Sequence, residues 1–513
     1  MKILDRRSFM KSVLAGTAAA VLPGCSTLYS GNPKARRPNF IIFLADDLGY
    51  GDLACYGNPI IKTPHLDKFA SQGMKFTDCH AAGTVCSPSR ASLLTGRTPY
   101  RIGFYSILGR GDIHLRREEI TVASLLRNQG YDTCFVGKWH MTNINNPQSD
   151  QPNPSDHGFD HWFATQVNAF RTGPENHDKY IRNGEKVGQV DGWYCDVIVQ
   201  EALDWIKNRP DRNKPFLLVV CSHEPHTPVA PPEEYTAMYD NEQVEKLEKT
   251  IEYGKILRTD RDITENKKYY YGTVTQLDNA FGTLIKGIDK MGLKDNSLVF
   301  FTSDNGPETP VSIEESGGRW NDKSRNRCFG TPGVLKGMKR NSYEGGHRVP
   351  GIARWPGHIK PGSKCSQLVN GNDFLPTLCE LAKAKPPTDR VIDGSSIVPL
   401  FSGKKIKRHI PQCWMFPTEY YFIPHMAMRE GDYVIIGWFN EKKGDQTHME
   451  WVKSARLQKY ELYNLNKHPD QSENLTEKEP QRLKTMSAKM KKLWLEIQIE
   501  GPTWNWNRGR TRS

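Results

Sequence analysis

Four apolar runs of strand length, each stopping abruptly at charged or metal-binding side chains, constrain this chain more than any other feature. The run Asn39-Phe40-Ile41-Ile42-Phe43-Leu44-Ala45 is continuous, as befits a strand buried on both faces, and it stops at Asp46-Asp47. Residues 297–303 stop in the same way at Asp304-Asn305-Gly306, residues 131–136 run into Gly137-Lys138-Trp139-His140, and residues 216–221 run into Ser222-His223-Glu224-Pro225-His226. Taken singly, an Asp-Asn-Gly after a strand reads as a turn and a lone histidine as a loop residue. Ligands of an open α/β sheet gather beyond the carboxyl ends of its strands, so four strands delivering polar groups there predict one shared site.

Helix-like segments lie between the runs. Residues 120–128 carry Val122, Leu125 and Leu126 on one side, and residues 271–288 carry Val274, Leu277, Phe281, Leu284, Ile285 and Ile288 at helical spacing. Strands alternating with such helices imply crossover units and a largely parallel sheet covered on both faces. After Leu400 the pattern changes: residues 426–436 and 458–463 read as antiparallel strands and Gln481 to Ile497 as a helix. The expected fold class is therefore α/β, a large mixed, mostly parallel sheet sandwiched by helices, with a smaller C-terminal antiparallel sheet plus helix. A chain of 513 residues is too long for one small core, so residues 38–400 are assigned to a catalytic domain and 401–513 to a smaller subdomain. The charged stretch 241–268 reads as a solvated insertion, and no internal repeat is present.

The string Cys86-Ser87-Pro88-Ser89-Arg90, followed by Ala91-Ser92-Leu93-Leu94-Thr95-Gly96, reads as a short buried helix with Ser87 as N-cap and Pro88 at the first helical position. Cys86 then sits at a helix N-terminus, where free N–H groups and the positive dipole end stabilise a nucleophile or an oxyanion, and Arg90 points to the same side one turn on. A bare C-x-x-x-R fits a structural cysteine beside a surface arginine better than a reaction centre. The longer C-S-P-S-R-x-x-x-L-T-G resembles the signature of the type I, formylglycine-dependent sulfatases, in which the cysteine is oxidised to an aldehyde whose hydrate attacks sulfur.

That resemblance covers about residues 38–500 and implies an alkaline-phosphatase-like fold. Asp46, Asp47, Asp304 and Asn305 resemble the family's metal set, hard oxygen donors suited to one Ca²⁺ per chain, with converted residue 86 adding its hydrate oxygen. Without a cysteine or histidine cage, zinc is disfavoured. Arg90, Lys138 and His140 resemble the groups that hold and ionise the hydrate, and His226 of the H-x-P-H string resembles a sulfate contact. The stretch from Gly337-Met338-Lys339-Arg340 through Tyr343-Glu344-Gly345-Gly346-His347-Arg348-Val349-Pro350 is similar to the family's G-x-K…Y-E-G-G-x-R-V-P, which marks Lys339. Arg340 stands where the family has glycine, so Lys336 is a rival.

A sulfate monoester is a stable anion. Its hydrolysis needs oxygens neutralised by metal, lysine and histidine, a nucleophile fixed in line, and a proton for the leaving alcohol. In the implied mechanism Lys339 or His226 is the acid, and His140 takes the proton from the second hydroxyl to expel sulfate. The branch resembled contains arylsulfatase A and N-acetylgalactosamine-6-sulfatase, so a sulfated glycan is the expected substrate. A formylglycine-generating or anaerobic sulfatase-maturating enzyme is the expected partner. Arg171, His161, Arg319, Trp320 and His425 are candidate sugar contacts by type and loop position, each weighed against a plain surface role. Two other readings are a phosphodiesterase or phosphonate monoester hydrolase of the same superfamily, against which the G-K-W-H and H-E-P-H strings speak, and an unconverted, lipid-anchored glycan-binding protein.

Residues 1–25 read as an export leader, with a basic segment Asp5-Arg6-Arg7-Ser8-Phe9-Met10-Lys11 similar to a twin-arginine signal and an apolar stretch from Val13 to Val21. Leu22-Pro23-Gly24-Cys25 resembles a lipoprotein box with Cys25 as the lipid-anchor site, the alternative being ordinary signal-peptidase cleavage nearby, and residues 26–37 form a polar tether. An exported, periplasmic or outer-surface bacterial lipoprotein is expected. Beyond the leader no apolar run approaches the roughly 18 residues of a membrane span. The leader carries Lys2, Arg6, Arg7 and Lys11 against Asp5, a net +3 that lowers the formal +12 to +9 for the mature chain. A basic surface draws in polyanions, sulfated glycans among them, and with no nucleic-acid motif no nucleic-acid partner is expected. The 11 cysteines are scattered, with Cys134 and Cys221 inside strand-like runs as packed thiols, which gives neither a disulfide scaffold nor a C-x-x-C metal site.

Overall fold

Alternate side chains of the first strand, Asn39–Asp46, enter two different cores: Phe40, Ile42 and Leu44 pack on one face of the sheet, Ile41, Phe43 and Ala45 on the other. The computed structural model describes residues 36–506 apart from 110, 147, 170–172, 249–266, 310–326 and 419–422. The leader and nearly all of the tether therefore lie outside the described residues. So does most of the 241–268 insertion, of which the helix Glu242–Glu248 is described.

The central sheet has ten strands. Its middle is parallel: Ser297–Ser303, Asn39–Asp46, Phe216–Pro225, Asp132–Lys138 and His161–Thr165 lie side by side in that order. The registers Ala45↔Ser303, Asp46↔Pro225 and Lys138↔Thr165 bring all five carboxyl ends to one edge. Short strands at the flanks, Gly351–Arg354 on one side and Tyr180–Arg182 with Glu185–Gly188 on the other, join antiparallel. Helices Cys86–Thr95, Val122–Asn128 and Phe374–Ala382 cover one face, and Pro64–Gln72, Tyr194–Asn208 and Lys267–Lys290 the other. Each large apolar side chain so enclosed contributes roughly 1.5–3 kcal/mol relative to exposure, which is why continuous apolar runs end up here.

A second sheet of four antiparallel strands, Gln412–Phe416, His425–Glu430, Tyr433–Phe439 and Leu457–Asn464, follows, with the long helix Pro480–Glu500 against it. Its strands do not form a core of their own alone. Met415, Met426, Met428 and Ile435 belong to the same apolar cluster as Phe40 and Phe76 of the large sheet. The ten described cysteines are all thiols, and Cys134 and Cys221 are buried in strands as expected. Among the described residues no helix is long and apolar enough to cross a membrane.

Candidate active site

The cleft chemistry begins where the Asn39–Asp46 strand stops. Asp47 follows it with φ of 64°, a left-handed conformation that L-residues adopt only when the surroundings impose it. The imposing contacts come from the neighbouring strand end. Asp304 N–H donates to the Ala45 carbonyl (3.1 Å), Asp304 Oδ1 accepts from Asp47 N–H (3.3 Å), and Ser303 Oγ accepts from Leu48 N–H (3.0 Å). His140, past the end of the 132–138 strand, is likewise left-handed at φ 55°.

Cys86 is the first residue of its helix, not the residue before an N-cap serine. The cap is Val85, extended at φ −150° and ψ 162°, and Pro88 is the third helical residue, where its missing N–H is still one the helix could not have used. Ser87 Oγ accepts from Leu108 N–H (3.0 Å) and Ser89 Oγ from Gly83 N–H (3.0 Å), so the serines tie down the flanking loops. The helix ends at Gly96 with φ 70°, as its sequence predicts. Nor does the helix terminus produce a thiolate. Burial pushes the Cys86 thiol up, Lys138 and Lys339 oppose this, and Asp46 and Asp304 reinforce it.

Around Cys86 charges are paired rather than scattered. Arg90 Nε and Nη2 grip Asp304 Oδ2 at 2.9 and 2.7 Å, Nη1 donates to the Lys138 carbonyl at 2.7 Å, and Nη2 lies 3.3 Å from Asp46 Oδ2. Lys138 Nζ donates to Asp46 Oδ2. Lys339 Nζ donates to both oxygens of Asp47 at 2.6 and 2.7 Å, and Asn305 Nδ2 donates to Asp47 Oδ1 at 2.6 Å. His226 places Nε2 3.5 Å from Asp47 Oδ2 while its Nδ1 lies 2.7 Å from the Thr227 carbonyl. The ligand atoms of Asp46, Cys86 and Asp304 lie within 4.8 Å of one another. All ten residues singled out in the sequence for this site are buried together at one edge of the sheet.

Lys339 reaches Asp47 because three glycines permit a close backbone stack. A Cβ on Gly306 would meet the Gly345 carbonyl at 2.0 Å, one on Gly345 the Gly337 carbonyl at 2.1 Å, and one on Gly346 the Asn341 carbonyl at 1.8 Å. Gly306 N–H donates to the Gly346 carbonyl (3.0 Å) and Lys339 N–H to the Pro307 carbonyl (2.9 Å), which locks the Lys339 loop to the strand end bearing Asp304 and Asn305. Lys336, the rival, instead places Nζ 4.1 Å from the Tyr343 ring centroid.

The candidate sugar contacts fare differently. His161 opens its strand at the amino end, opposite Cys134, and pairs with Glu201 (2.9 Å), so it lies at the far edge of the sheet from the site. His425 is a core residue: its Nε2 accepts from Ser342 N–H (2.9 Å) and its ring packs 4.9 Å from Trp438. Arg171, Arg319 and Trp320 lie outside the described residues. Two participants escaped the sequence reading. Asn168, past the end of a fifth strand, donates to Asp46 Oδ2 (3.1 Å); with no charged residue in its run it gave no signal. Glu308, four residues beyond Asp304, lies 3.7 Å from Lys339 Nζ and holds Arg340 bidentately. A carboxylate directly after Asp-Asn-Gly-Pro was a readable cue.

Four carboxylates (Asp46, Asp47, Asp304, Glu308) thus face four cations (Arg90, Lys138, Lys339, Arg340), and the histidines are held neutral. Burial, then Lys138 and Arg90, drive His140 well below the usual histidine range, and burial with Lys339 does the same for His226. Burial favours a neutral Asp46, yet Lys138, Arg90 and Lys339 outweigh it and keep its carboxyl well below the ordinary range. Asp47 is raised to about 7 by burial and by Asp46, Glu308 and Asp304 against the pull of Lys339. Two oxygens are left over. Asp46 Oδ1 and Asn305 Oδ1 are buried with no hydrogen-bond partner, beside the carboxylates of Asp47 and Asp304; a hard divalent cation fits these oxygens.

A second buried group, His80, Glu344 and His347, is a structural tie. Glu344 is paired with Arg348 (3.2 Å) and Arg429 (3.7 Å), and His80 bridges Asp78 (2.8 Å) and His347 (2.9 Å). It fastens the strand leading to Cys86 to the loop leading away from Lys339.

Comparison with known proteins agrees with this geometry. Residues 38–384 match the family model described as Sulfatase, and residues 337–500 match that of N-sulphoglucosamine sulphohydrolase, C-terminal. The chain is 33% identical to N-acetylgalactosamine-6-sulfatase of Rattus norvegicus, over 76% of this chain and 70% of that one. It is 32% identical to arylsulfatase A of Homo sapiens, over 87% and 85%. Among solved structures, Ps i-CgsB superposes with a TM-score of 0.72 at 25% identity, covering 92% of this chain and 95% of that one. The same protein has been solved in complex with k-i-k-neocarrahexaose.

Proposed function

This chain belongs to the sulfatase family, and on that premise we propose that it removes sulfate from a sulfated carbohydrate, using formylglycine made from Cys86 and one Ca²⁺ held by Asp46, Asp47, Asp304 and Asn305. The observation that carries the reading is the pair of orphaned oxygens, Asp46 Oδ1 and Asn305 Oδ1, set among lysines and an arginine beside residue 86. Kinship with N-acetylgalactosamine-6-sulfatase and arylsulfatase A, and with a protein solved bearing a neocarrahexaose, supports the sugar.

When bound, the cation supplies charge to the sulfate oxygens, and the aldehyde hydrate supplies both a nucleophilic hydroxyl and a second hydroxyl through which sulfate leaves. The chain's own residues do the rest. Burial and Asp46 raise the Asp304 carboxyl, Arg90 opposes that rise and aims the group, and Lys138 holds Asp46 ionised. Lys339, whose ammonium is held protonated above its ordinary range by Asp47 and Glu308 against the cost of burial, is the acid for the departing alcohol. His226, with Nδ1 committed to the Thr227 carbonyl, turns Nε2 toward the sulfate position. Neutral His140 takes the proton whose loss lets sulfate depart. An unmodified thiol would attack once and hold the sulfuryl group, and its raised proton affinity makes even that slow.

We propose further that residues 1–25 export the chain and that Cys25 anchors it to lipid, on the strength of the leader's own sequence. A separate maturation enzyme must then act on Cys86. The test combines mass spectrometry of the peptide ending at Arg90 with turnover of sulfate and phosphate esters by the same sample. Sulfate turnover should rise in proportion to conversion, and full activity with Cys86 as a plain thiol would end the proposal.

A further inference from the structure

The residue after Lys339 carries more structural cost than its position requires. Met338–Asn341 is a four-residue turn closed by Asn341 N–H donating to the Met338 carbonyl (3.0 Å), and Arg340, its third residue, has φ of 73°. Lys339 is not among the positive-φ residues, so this is the type II pattern, whose third position suits glycine and strains any L side chain. The arginine's guanidinium is bidentate on Glu308, Nη1 to Oε1 at 2.5 Å and Nη2 to Oε2 at 2.7 Å, and its backbone N–H donates to the Thr84 carbonyl (2.9 Å), two residues before Cys86.

Taking such a pair out of water costs solvation that its mutual attraction does not reliably return. A glycine at 340 and an apolar residue at 308 would remove both costs and leave the contact of Lys339 with Asp47 in place. Glu308 also accepts from Thr309 N–H (3.0 Å) and lies beside Lys339, but neither contact calls for an arginine at 340. Its position points to substrate. Glu308 Oε2 lies 3.7 Å from Lys339 Nζ, and side-chain exposure rises from 3% at Lys339 and 5% at Glu308 to 19% at Arg340, so the arginine lies on the solvent side of the acid.

We propose that Arg340 and Glu308 form a specificity element that reads a free hydroxyl of the sugar next to its sulfate ester. This rests on the sulfatase reading above. The pair has no net charge and so adds no pull on an anion, but it sets a guanidinium and a carboxylate side by side. A hydroxyl, at once donor and acceptor, uses both. A second sulfate or a carboxylate on the flanking carbon would instead meet Glu308. The substrate class is accordingly a sugar whose carbon beside the sulfate bears a hydroxyl.

The test uses the mature, converted enzyme and two variants whose new residues accept positive φ, Arg340→Gly and Arg340→Asn. The probes are 4-nitrophenyl sulfate, a monosulfated hexose with the flanking hydroxyl, and its deoxy analogue. Wild type should prefer the hydroxyl sugar by about tenfold or more in kcat/KM, the scale of one hydrogen bond to a charged group. Both variants should bring that ratio close to one, whichever way their thermal midpoints move as turn strain is relieved and Glu308 loses its partner. An unchanged ratio overturns the assignment, as does a lowered midpoint with all three probes losing equally, which marks a purely structural role. Wild type that hydrolyses 4-nitrophenyl sulfate without discriminating the two sugars refutes the specificity element alone. Wild type that hydrolyses no probe overturns the sulfatase reading and this inference with it.

Discussion

A few ångströms of backbone separate the two candidate lysines in space. Sequence spacing alone leaves Lys336 and Lys339 in competition because Arg340 breaks the familiar pattern, yet only Lys339 has its ammonium on Asp47. Lys339→Ala should therefore lower kcat by about 10²–10³, the usual loss for one preorganised charge-stabilising donor. Lys336→Ala should leave kcat nearly intact and cost at most about 1 kcal/mol of stability through its contact with Tyr343. Steady-state kinetics of the two variants decide it, and the opposite ranking would move the acid to Lys336. At this scale Asp46, Asp47, Cys86, Arg90, Asp304 and Asn305 were legible because their chemistry needs those side chains in short fixed strings. Asn168 was not, since an amide after an apolar run carries no mark until a carboxylate is seen 3.1 Å away.

Elements transmit constraints that single residues do not reveal. The strand His425–Glu430 of the second sheet meets the Lys339 loop through His425, whose Nδ1–H donates to the Ile423 carbonyl (2.7 Å) and whose Nε2 accepts from Ser342 N–H. Protonating Nε2 removes that acceptor. Burial presses His425 down to about 4, against the bond to the Ile423 carbonyl. The unfolded chain takes up a proton below about pH 6.5 that the native state refuses until about 4. The contribution of this histidine is thus complete above pH 6.5 and is lost progressively toward pH 4, by about 1.4 kcal/mol per pH unit at most. Urea unfolding of wild type and His425→Gln across that range should show the wild type falling more steeply; parallel curves would remove the histidine from the acid response. The strands and helices themselves were foreseen where periodicity was strong. The helix start at Cys86 was misplaced because a Ser-Pro pair suggests a cap, whereas extended Val85 takes that position.

Across the whole molecule the second sheet and the site are mechanically one body. Trp414 stacks on His347 with ring centroids 4.0 Å apart and donates Nε1–H to the Ala81 carbonyl (2.7 Å), so the second sheet holds the segment that leads to Cys86. Four buried carboxylates at the strand ends make the fold itself sensitive to a bound cation. A ligand at a hundred times its Kd stabilises by about 2.7 kcal/mol, so chelator-treated protein should melt several degrees lower and recover with Ca²⁺. Asp304→Ala, though less stable at the outset, should show almost no Ca²⁺-dependent shift in differential scanning calorimetry; a shift equal to that of wild type would take Asp304 out of the ligand set. By itself the sequence determined which strands form, where they stop and which side chains they deliver, because apolar runs and catalytic strings are local properties of the chain. Only the tertiary structure decided that Lys339 crosses 292 residues to Asp47, that Glu308 and Arg340 join the acid, and that His425 is core rather than cleft. Those outcomes depend on glycine-permitted backbone approach and strand register, which are set by packing between distant segments rather than by any one local string.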